Sequence, residues 1–121
     1  MVKQVFDKSR IDQSIRYRIT RDFMDIIILL EILKSPLSGY DIITTIYRKF
    51  NFLISSGTVY STLYALEREG LIKGVKRDRK RVYVLTRKGE IFIENVLAMQ
   101  ENIENLISKI FGGKYLMYNN V

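Results

Sequence analysis

The sequence predicts a mainly α-helical fold with one small β-hairpin, and three observations support that prediction. Apolar residues recur every three or four positions in several segments, which is the spacing of one face of a helix. Two short segments that contain charged and apolar residues flank a two-residue turn, as paired strands do. The 121 residues, 47% of them hydrophobic, suffice for one globular domain with an ordinary core.

The first two helices of this domain are predicted on either side of the single proline. The first covers residues 21–34, and Pro36 ends it because a proline disfavours helical geometry in the preceding residue. The second begins at Ser38, which stands three residues before Asp41 in the spacing of a capping box, and ends near Phe50. Two tyrosines are expected to be packing residues: Tyr40 and Tyr83.

A third helix is predicted from Ser55 or Ser56, either of which can cap backbone N–H groups, to Glu69. Gly70 then supplies the left-handed conformation that closes many helices. One face of this helix is apolar and must contact the core: Val59, Leu63 and Leu66. The opposite side has Gly57, Ser61, Tyr64 and Arg68, with Thr58 and Tyr60 at its edges. Together with Ser56 at the start of the helix, these small, hydroxyl and basic side chains can approach bases and phosphates. In an isolated helix, the same pattern would indicate a solvent-facing surface.

The hairpin follows at residues 71–77 and 80–85, with Asp78 and Arg79 as its turn. Six cations lie within nine residues, opposed by one acid: Lys73, Lys76, Arg77, Arg79, Lys80 and Arg81. Most charge runs are solvated faces. In so short a ribbon, however, a phosphate backbone would relieve the mutual repulsion and release its counterions. The net charge of +7 suits a polyanion, either nucleic acid or an anionic membrane surface. The concentration of this charge in the hairpin favours double-stranded DNA as the partner.

The absence of cysteine and histidine excludes several kinds of chemistry. Thiol and histidine nucleophiles, zinc sites built on these residues and histidine pH switches are all removed. Neither a glycine-rich phosphate loop nor a nucleophile–base pair is present. We therefore expect no catalytic residues, no metal, no cofactor and no enzymatic activity. The longest apolar run is too short to span a bilayer, which favours a cytoplasmic protein without a membrane partner.

The two ends of the chain are predicted to differ from this domain at residues 21–86. Residues 1–20 are expected to form a basic arm, residues 87–111 one long helix, and residues 112–121 a tail. The long helix has apolar residues in a heptad pattern: Phe92, Val96, Met99, Ile103, Leu106, Ile107 and Ile110. Three short helices offer too little surface to cover so broad a stripe. A second copy of the chain is the favoured partner, with packing inside one chain as the alternative.

Three helices followed by a hairpin follow the plan of a winged helix-turn-helix. In such folds the second helix of the turn motif enters the major groove, and the hairpin, or wing, lies along the backbone. A two-fold dimer would place two such helices about 34 Å apart and would predict an inverted-repeat target. A winged-helix module that binds an acidic protein is the alternative function.

Four ordered motifs resemble the PadR family of transcriptional regulators. They are Pro36–Ile42, Ser56–Leu63, Leu66–Ile72 and Val82–Glu90, and the similarity covers residues 26–90. The resemblance implies a winged-helix homodimer, usually a repressor, with the recognition helix beginning in Ser56–Tyr64 and dimerisation through the C-terminal helix. It also implies a possible hydrophobic or phenolic effector.

The sequence departs from the PadR pattern in three respects. It has no tryptophan, which in some relatives lines a ligand pore between subunits. Its wing turn, at Asp78 and Arg79, contains no glycine, which predicts a short wing. One helix is expected after the wing, as in the shorter C-terminal arrangement of the family.

Overall fold

A computed structural model describes residues 7–51 and 53–112. These residues form six helices and one two-stranded antiparallel sheet, which confirms the predicted fold class. In chain order the elements are α1 Lys8–Asp22, α2 Met24–Lys34, α3 Gly39–Phe50, α4 Ser56–Arg68, β1 Ile72–Arg77, β2 Lys80–Leu85, α5 Arg87–Ala98 and α6 Gln100–Ile110. None of the described helices combines the length and the apolar character that a membrane crossing requires.

The core is formed by the apolar faces of α2, α3 and α4, by the start of the hairpin and by one side of α5. Its largest fully buried side chains are Ile28, Leu29, Ile42, Ile46, Val59, Leu63, Ile72 and Ile93. Within residues 7–51 and 53–112, every buried side-chain nitrogen or oxygen has a hydrogen-bond partner. The winged-helix body, residues 24–98, is therefore closed around its own core.

The predicted capping sites begin both helices of the turn motif. At α3 the Ser38 hydroxyl accepts from the Asp41 N–H, and the Asp41 carboxylate accepts from the Ser38 N–H, each at 3.1 Å. At α4 the Ser55 hydroxyl accepts from the Thr58 N–H. The reciprocal pair of bonds at α3 and the single bond at α4 satisfy backbone donors that the first turn of a helix leaves free.

The wing is the hairpin that the sequence predicted, with Ile72 opposite Leu85 and Arg77 opposite Lys80. Asp78 and Arg79 have φ angles of 50° and 67°, and two consecutive positive angles are typical of a type I′ turn. The base of the wing is attached to the α2–α3 connection by two backbone hydrogen bonds between Leu37 and Tyr83. Tyr83 is buried, as expected.

The N-terminal region differs from the predicted basic arm. From Lys8 onward it is helical, and Phe23 separates α1 from α2, so the first helix does not start at residue 21. Asp7 caps α1 by accepting from the Ser9 N–H. Within α1, Ile11, Ile15 and Ile19 recur every fourth residue, and this helical period was obscured by the arginines between them. Residues 1–6 of the predicted arm lie outside the described residues.

The C-terminal region contains two helices in place of the single predicted one. Met99 interrupts them, because its N–H binds the Val96 carbonyl three residues back rather than one four residues back. The α-helical pattern resumes when the Ile103 N–H binds the Met99 carbonyl. Neither glycine nor proline marks this break in the sequence. Residues 113–121 of the predicted tail lie outside the described residues.

Candidate nucleic-acid interface

Helix α4 exposes the polar face that the sequence assigned to it. Val59, Leu63 and Leu66 are buried in the core. On the opposite side Ser56, Gly57, Ser61, Tyr64 and Arg68 are exposed. The Ser61 hydroxyl donates to the Thr58 carbonyl, and Tyr64 is 54% exposed. Small side chains and one ring thus form a surface that a nucleic-acid groove could approach closely.

Tyr60 is placed differently from the other predicted groove residues. It is half-buried, and its ring lies against Gly39 in the first turn of α3. A Cβ atom at Gly39 would overlap that ring. Thr58 is also half-buried, with its hydroxyl 2.7 Å from that of Ser55. Tyr60 therefore contributes to the contact between α3 and α4, and Thr58 contributes to the capping at the start of α4.

The six wing cations are distributed over both faces of the hairpin. Side chains alternate along each strand, so one face has Lys73, Arg77 and Lys80 and the other has Lys76 and Arg81. Arg79 lies in the turn. All six side chains are exposed. A phosphate backbone on either side of the wing would therefore meet positive charge.

Two of these cations are already paired within the chain. The Lys80 ammonium lies 3.1 Å from the Asp41 carboxylate of α3, and the Arg81 guanidinium lies 3.0 Å from the Glu67 carboxylate of α4. The backbone N–H of Ser38 and the Lys80 ammonium lower the pKa of Asp41, so its carboxylate is charged at neutral pH. The other four cations form no ion pair with a described residue: Lys73, Lys76, Arg77 and Arg79.

Tyr40 was expected to be a packing residue, and this expectation was wrong. It is 68% exposed on the first turn of α3, and the residue that follows it, Asp41, pairs with Lys80 of the wing. A tyrosine hydroxyl at this place can donate to a phosphate oxygen. The sequence has no local signal for this placement, because Asp41 and its wing partner Lys80 are 39 positions apart.

The predicted dimer residues lie on α5, on α6 and at Met99 between them, and most of them are exposed. The exposed members are Phe92, Met99, Leu106, Ile107 and Ile110, whereas Val96 and Ile103 are half-buried. Helix α6 has no buried residue.

Helix α1 adds an apolar surface that was not predicted. Ile11, Ile15 and Ile19 are exposed. A groove of about 300 Å³ lies between α1 and α6, and its apolar lining consists of Ile15, Ile19, Phe23, Ile107, Ile110 and Phe111. The fourfold spacing of the α1 isoleucines was the signal in the sequence.

A helix-turn-helix whose second helix exposes a polar face beside a basic hairpin defines the class: a winged-helix transcriptional regulator. The chain belongs to the PadR-like family of transcriptional regulators, because the model of that family matches residues 28–95, more than half of its length. This membership confirms the predicted family and makes the chain a regulator, not an enzyme.

Solved structures of transcriptional regulators share the fold of this chain. A transcriptional regulator from Clostridium thermocellum is 27% identical with a TM-score of 0.66, over 76% of this chain and 93% of that one. A PadR family regulator from Clostridium difficile is 24% identical with a TM-score of 0.67, over 74% of this chain and 98% of that one. Bacillus subtilis PadR in complex with operator DNA is 26% identical with a TM-score of 0.53, over 61% and 46% of the two chains. A comparison with curated proteins finds no match.

Proposed function

We propose that this chain is a cytoplasmic repressor that binds an inverted-repeat operator in double-stranded DNA as a homodimer. One observation supports this most strongly. The exposed polar face of α4 adjoins a wing with four cations that have no ion-pair partner among the described residues. Such uncompensated charge on one short ribbon is stabilised by neutralising phosphates.

The contacts divide into those that read sequence and those that hold the backbone. Ser61 and Tyr64, at the centre of the exposed face of α4, are proposed to face base edges in the major groove. Lys76, Arg77 and Arg79 are proposed to bind phosphates, joined by the exposed Tyr40 hydroxyl at the start of α3. The complex of Bacillus subtilis PadR with operator DNA supports DNA over an acidic protein as the partner.

The homodimer is proposed to form through the apolar residues of α5 and α6, together with the exposed isoleucines of α1. Most of these apolar side chains are exposed within one chain, and those of α1 and α6 line a common groove. A patch of this kind is typical of a protein interface. A two-fold axis there would set two α4 helices on one side of a duplex, about one helical turn apart, and this arrangement predicts the inverted repeat.

The regulatory sign and the effector are proposed from the family resemblance. Repression is the usual mode in the PadR family, and occupancy of an operator suffices for it. A hydrophobic or phenolic effector stays a prediction, and the apolar groove between α1 and α6 is compatible with one.

A gel shift with random duplex DNA at increasing salt separates this proposal from a protein-binding module. The expected result is retardation at low salt, with log K falling by about 0.9 per phosphate contact for each tenfold rise in salt concentration. A chain that fails to retard DNA even in dilute buffer would contradict the proposed function.

A further inference from the structure

We infer that Arg81 is a positioning residue, which fixes the wing relative to α4 through its ion pair with Glu67, and is not a phosphate ligand. This inference rests on the proposed DNA-binding function. It changes the role predicted for Arg81 and adds Glu67 and Gly74 to the residues that determine how well the interface distinguishes its target.

The Arg81 side chain contacts both the wing and the helix. Its Nη2 donates to the Glu67 carboxylate at 3.0 Å, a contact between residues 14 positions apart in the sequence. Its guanidinium carbon lies 5.6 Å from the centroid of the Tyr83 ring, which is buried in the body. The guanidinium is therefore held between a carboxylate of α4 and a ring at the base of the wing.

Gly74 provides the space for this arrangement. It lies on β1 opposite Tyr83, and a Cβ atom there would overlap the Arg81 guanidinium. The overlapping atoms are the end of a flexible side chain, so an alanine would not disrupt the strand. It would instead displace the guanidinium from its position beside Glu67. A glycine at this place in a strand is otherwise unfavourable, and close approach of another group is the usual reason for one.

The charge of Arg81 is already compensated, which distinguishes it from the cations of the wing that have no ion-pair partner. Glu67 is 28% exposed and lies at contact distance, so the pair presents little net charge to a phosphate several ångströms further away. On the opposite face Lys80 is paired with Asp41 of α3. The wing is thus attached to both helices of the turn motif.

A wing held in this way has a functional consequence. The cations of the wing and the exposed face of α4 keep one relative position before DNA arrives. Less conformational freedom is then lost on binding, and the geometry favours the one target that matches both surfaces. Random DNA, which needs phosphate contacts alone, gains less from the fixed geometry.

The test compares Glu67→Gln with Glu69→Gln. Both variants remove one negative charge from the end of α4, but the exposed Glu69 side chain forms no ion pair with a described residue. The probes are a duplex selected from a random pool by the native chain and an unselected random duplex. We expect both variants to bind random DNA more tightly than the native chain does, and to the same extent. Of the two variants, only Glu67→Gln should lower the ratio of selected to random affinity. The expected decrease is about three- to fivefold, which corresponds to the free energy of an exposed ion pair. Equal ratios in the two variants would overturn the inference.

Three further variants separate the effect of charge from the effect of positioning. Gly74→Ala leaves every charge in place, and it should lower the ratio as Glu67→Gln does. Arg81→Glu alone should lower it further, and combination with Glu67→Arg should restore it to within about twofold by re-forming the pair with reversed signs. Failure of this exchange to restore the ratio would contradict the inference.

A measurement without DNA distinguishes failure of this inference from failure of the proposed function. The chain has no cysteine, so Arg79→Cys allows a single spin label at the tip of the wing. The label should become more mobile in combination with Glu67→Gln or Gly74→Ala, and should be unchanged with Glu69→Gln. Unchanged mobility in all three would refute the inference. If the native chain selected no sequence from the pool, the proposed function would fail whatever the label reported.

Discussion

The winged-helix body and the helices α1 and α6 differ in what covers their apolar side chains. In the body, residues such as Ile28 and Leu63 are completely buried in the core that α2, α3, α4, the hairpin and α5 form. In α1 the buried residue is Thr20, and α6 has none, although both helices have regularly spaced isoleucines. The same periodic pattern therefore leads to a closed core in one region and to an open surface in the other.

This difference shows what hydrophobic periodicity can and cannot predict. The period identifies which face of a helix is apolar, because side-chain direction follows from backbone geometry. It does not identify the group that covers that face. In the body the covering groups come from the same chain, whereas for α1 and α6 we propose that they come from a second copy.

Truncation of one side chain in each region should give the largest difference in stability between the body and the helices α1 and α6. Leu63→Ala creates a cavity in a closed core and should lower the free energy of unfolding by about 2–5 kcal/mol. Ile110→Ala changes an exposed side chain and should leave the stability of one chain nearly unchanged. Urea denaturation at several protein concentrations measures both. If the two variants lost a similar amount of unfolding free energy at low protein concentration, α6 would not differ from the body in the burial of its apolar side chains.

A charge on the apolar surface of α6 should break the proposed dimer. Leu106→Asp removes a side chain whose burial is worth about 1.5–3 kcal/mol and adds a charge there, so association should weaken at least 10- to 100-fold. Asn105→Asp adds the same charge on the opposite side of α6 and is the matched control. Sedimentation equilibrium reports the dissociation constant. If Leu106→Asp remains as dimeric as the control, this surface is not the interface.

The ion pairs of the two regions should also differ in strength. Glu31 is nearly buried, and its carboxylate binds Lys49 at 2.9 Å and Lys34 at 3.3 Å, which links α3 to α2. Glu31→Gln should cost about 1–3 kcal/mol of unfolding free energy. Asp12→Asn in α1 removes a solvent-exposed pair with Arg16 and should cost less than about 0.5 kcal/mol. Thermal unfolding of the two variants provides the comparison, and equal losses would refute it.

The Glu31 pair also predicts a dependence on pH. Burial alone would raise the pKa of Glu31, but hydrogen bonds from Lys49 and Lys34 outweigh burial and lower it below the ordinary 4.5. The stabilisation is therefore complete above pH 4.5 and is lost as the pH falls through the lowered pKa. Unfolding measured from pH 6 to pH 3 should show a steeper loss in the native chain than in Glu31→Gln. Parallel curves would contradict this assignment.

The smallest expected effect is on the salt dependence of DNA binding, which should change with a wing cation and not with a cation near the dimer surface. Arg77→Ala should weaken binding to every duplex and reduce the slope of log K against log salt by up to about 0.9. The oligomeric state should not change. Lys109→Ala removes an exposed cation from α6, away from the proposed DNA surface, and serves as the control. Identical salt slopes for the two variants would remove Arg77 from the backbone contacts.

Local signals predicted most of the body and missed features that depend on distant residues. The capping box of Ser38 and Asp41, the hairpin register and the turn at Asp78 involve neighbours along the chain, so the sequence alone sufficed. The pairing of Lys80 with Asp41 joins residues 39 positions apart, which no local pattern records. The contact of Tyr60 with Gly39 is likewise tertiary. The break at Met99 has no local signal of the usual kind.

The dimeric DNA-binding claim is tested most directly by selecting bound duplexes from a random pool with the native chain. A dimeric regulator of this kind should enrich two related half-sites in inverted orientation, with centres separated by about 10–10.5 base pairs or a multiple of that spacing. Enrichment of a single half-site, or of no sequence at all, would contradict it.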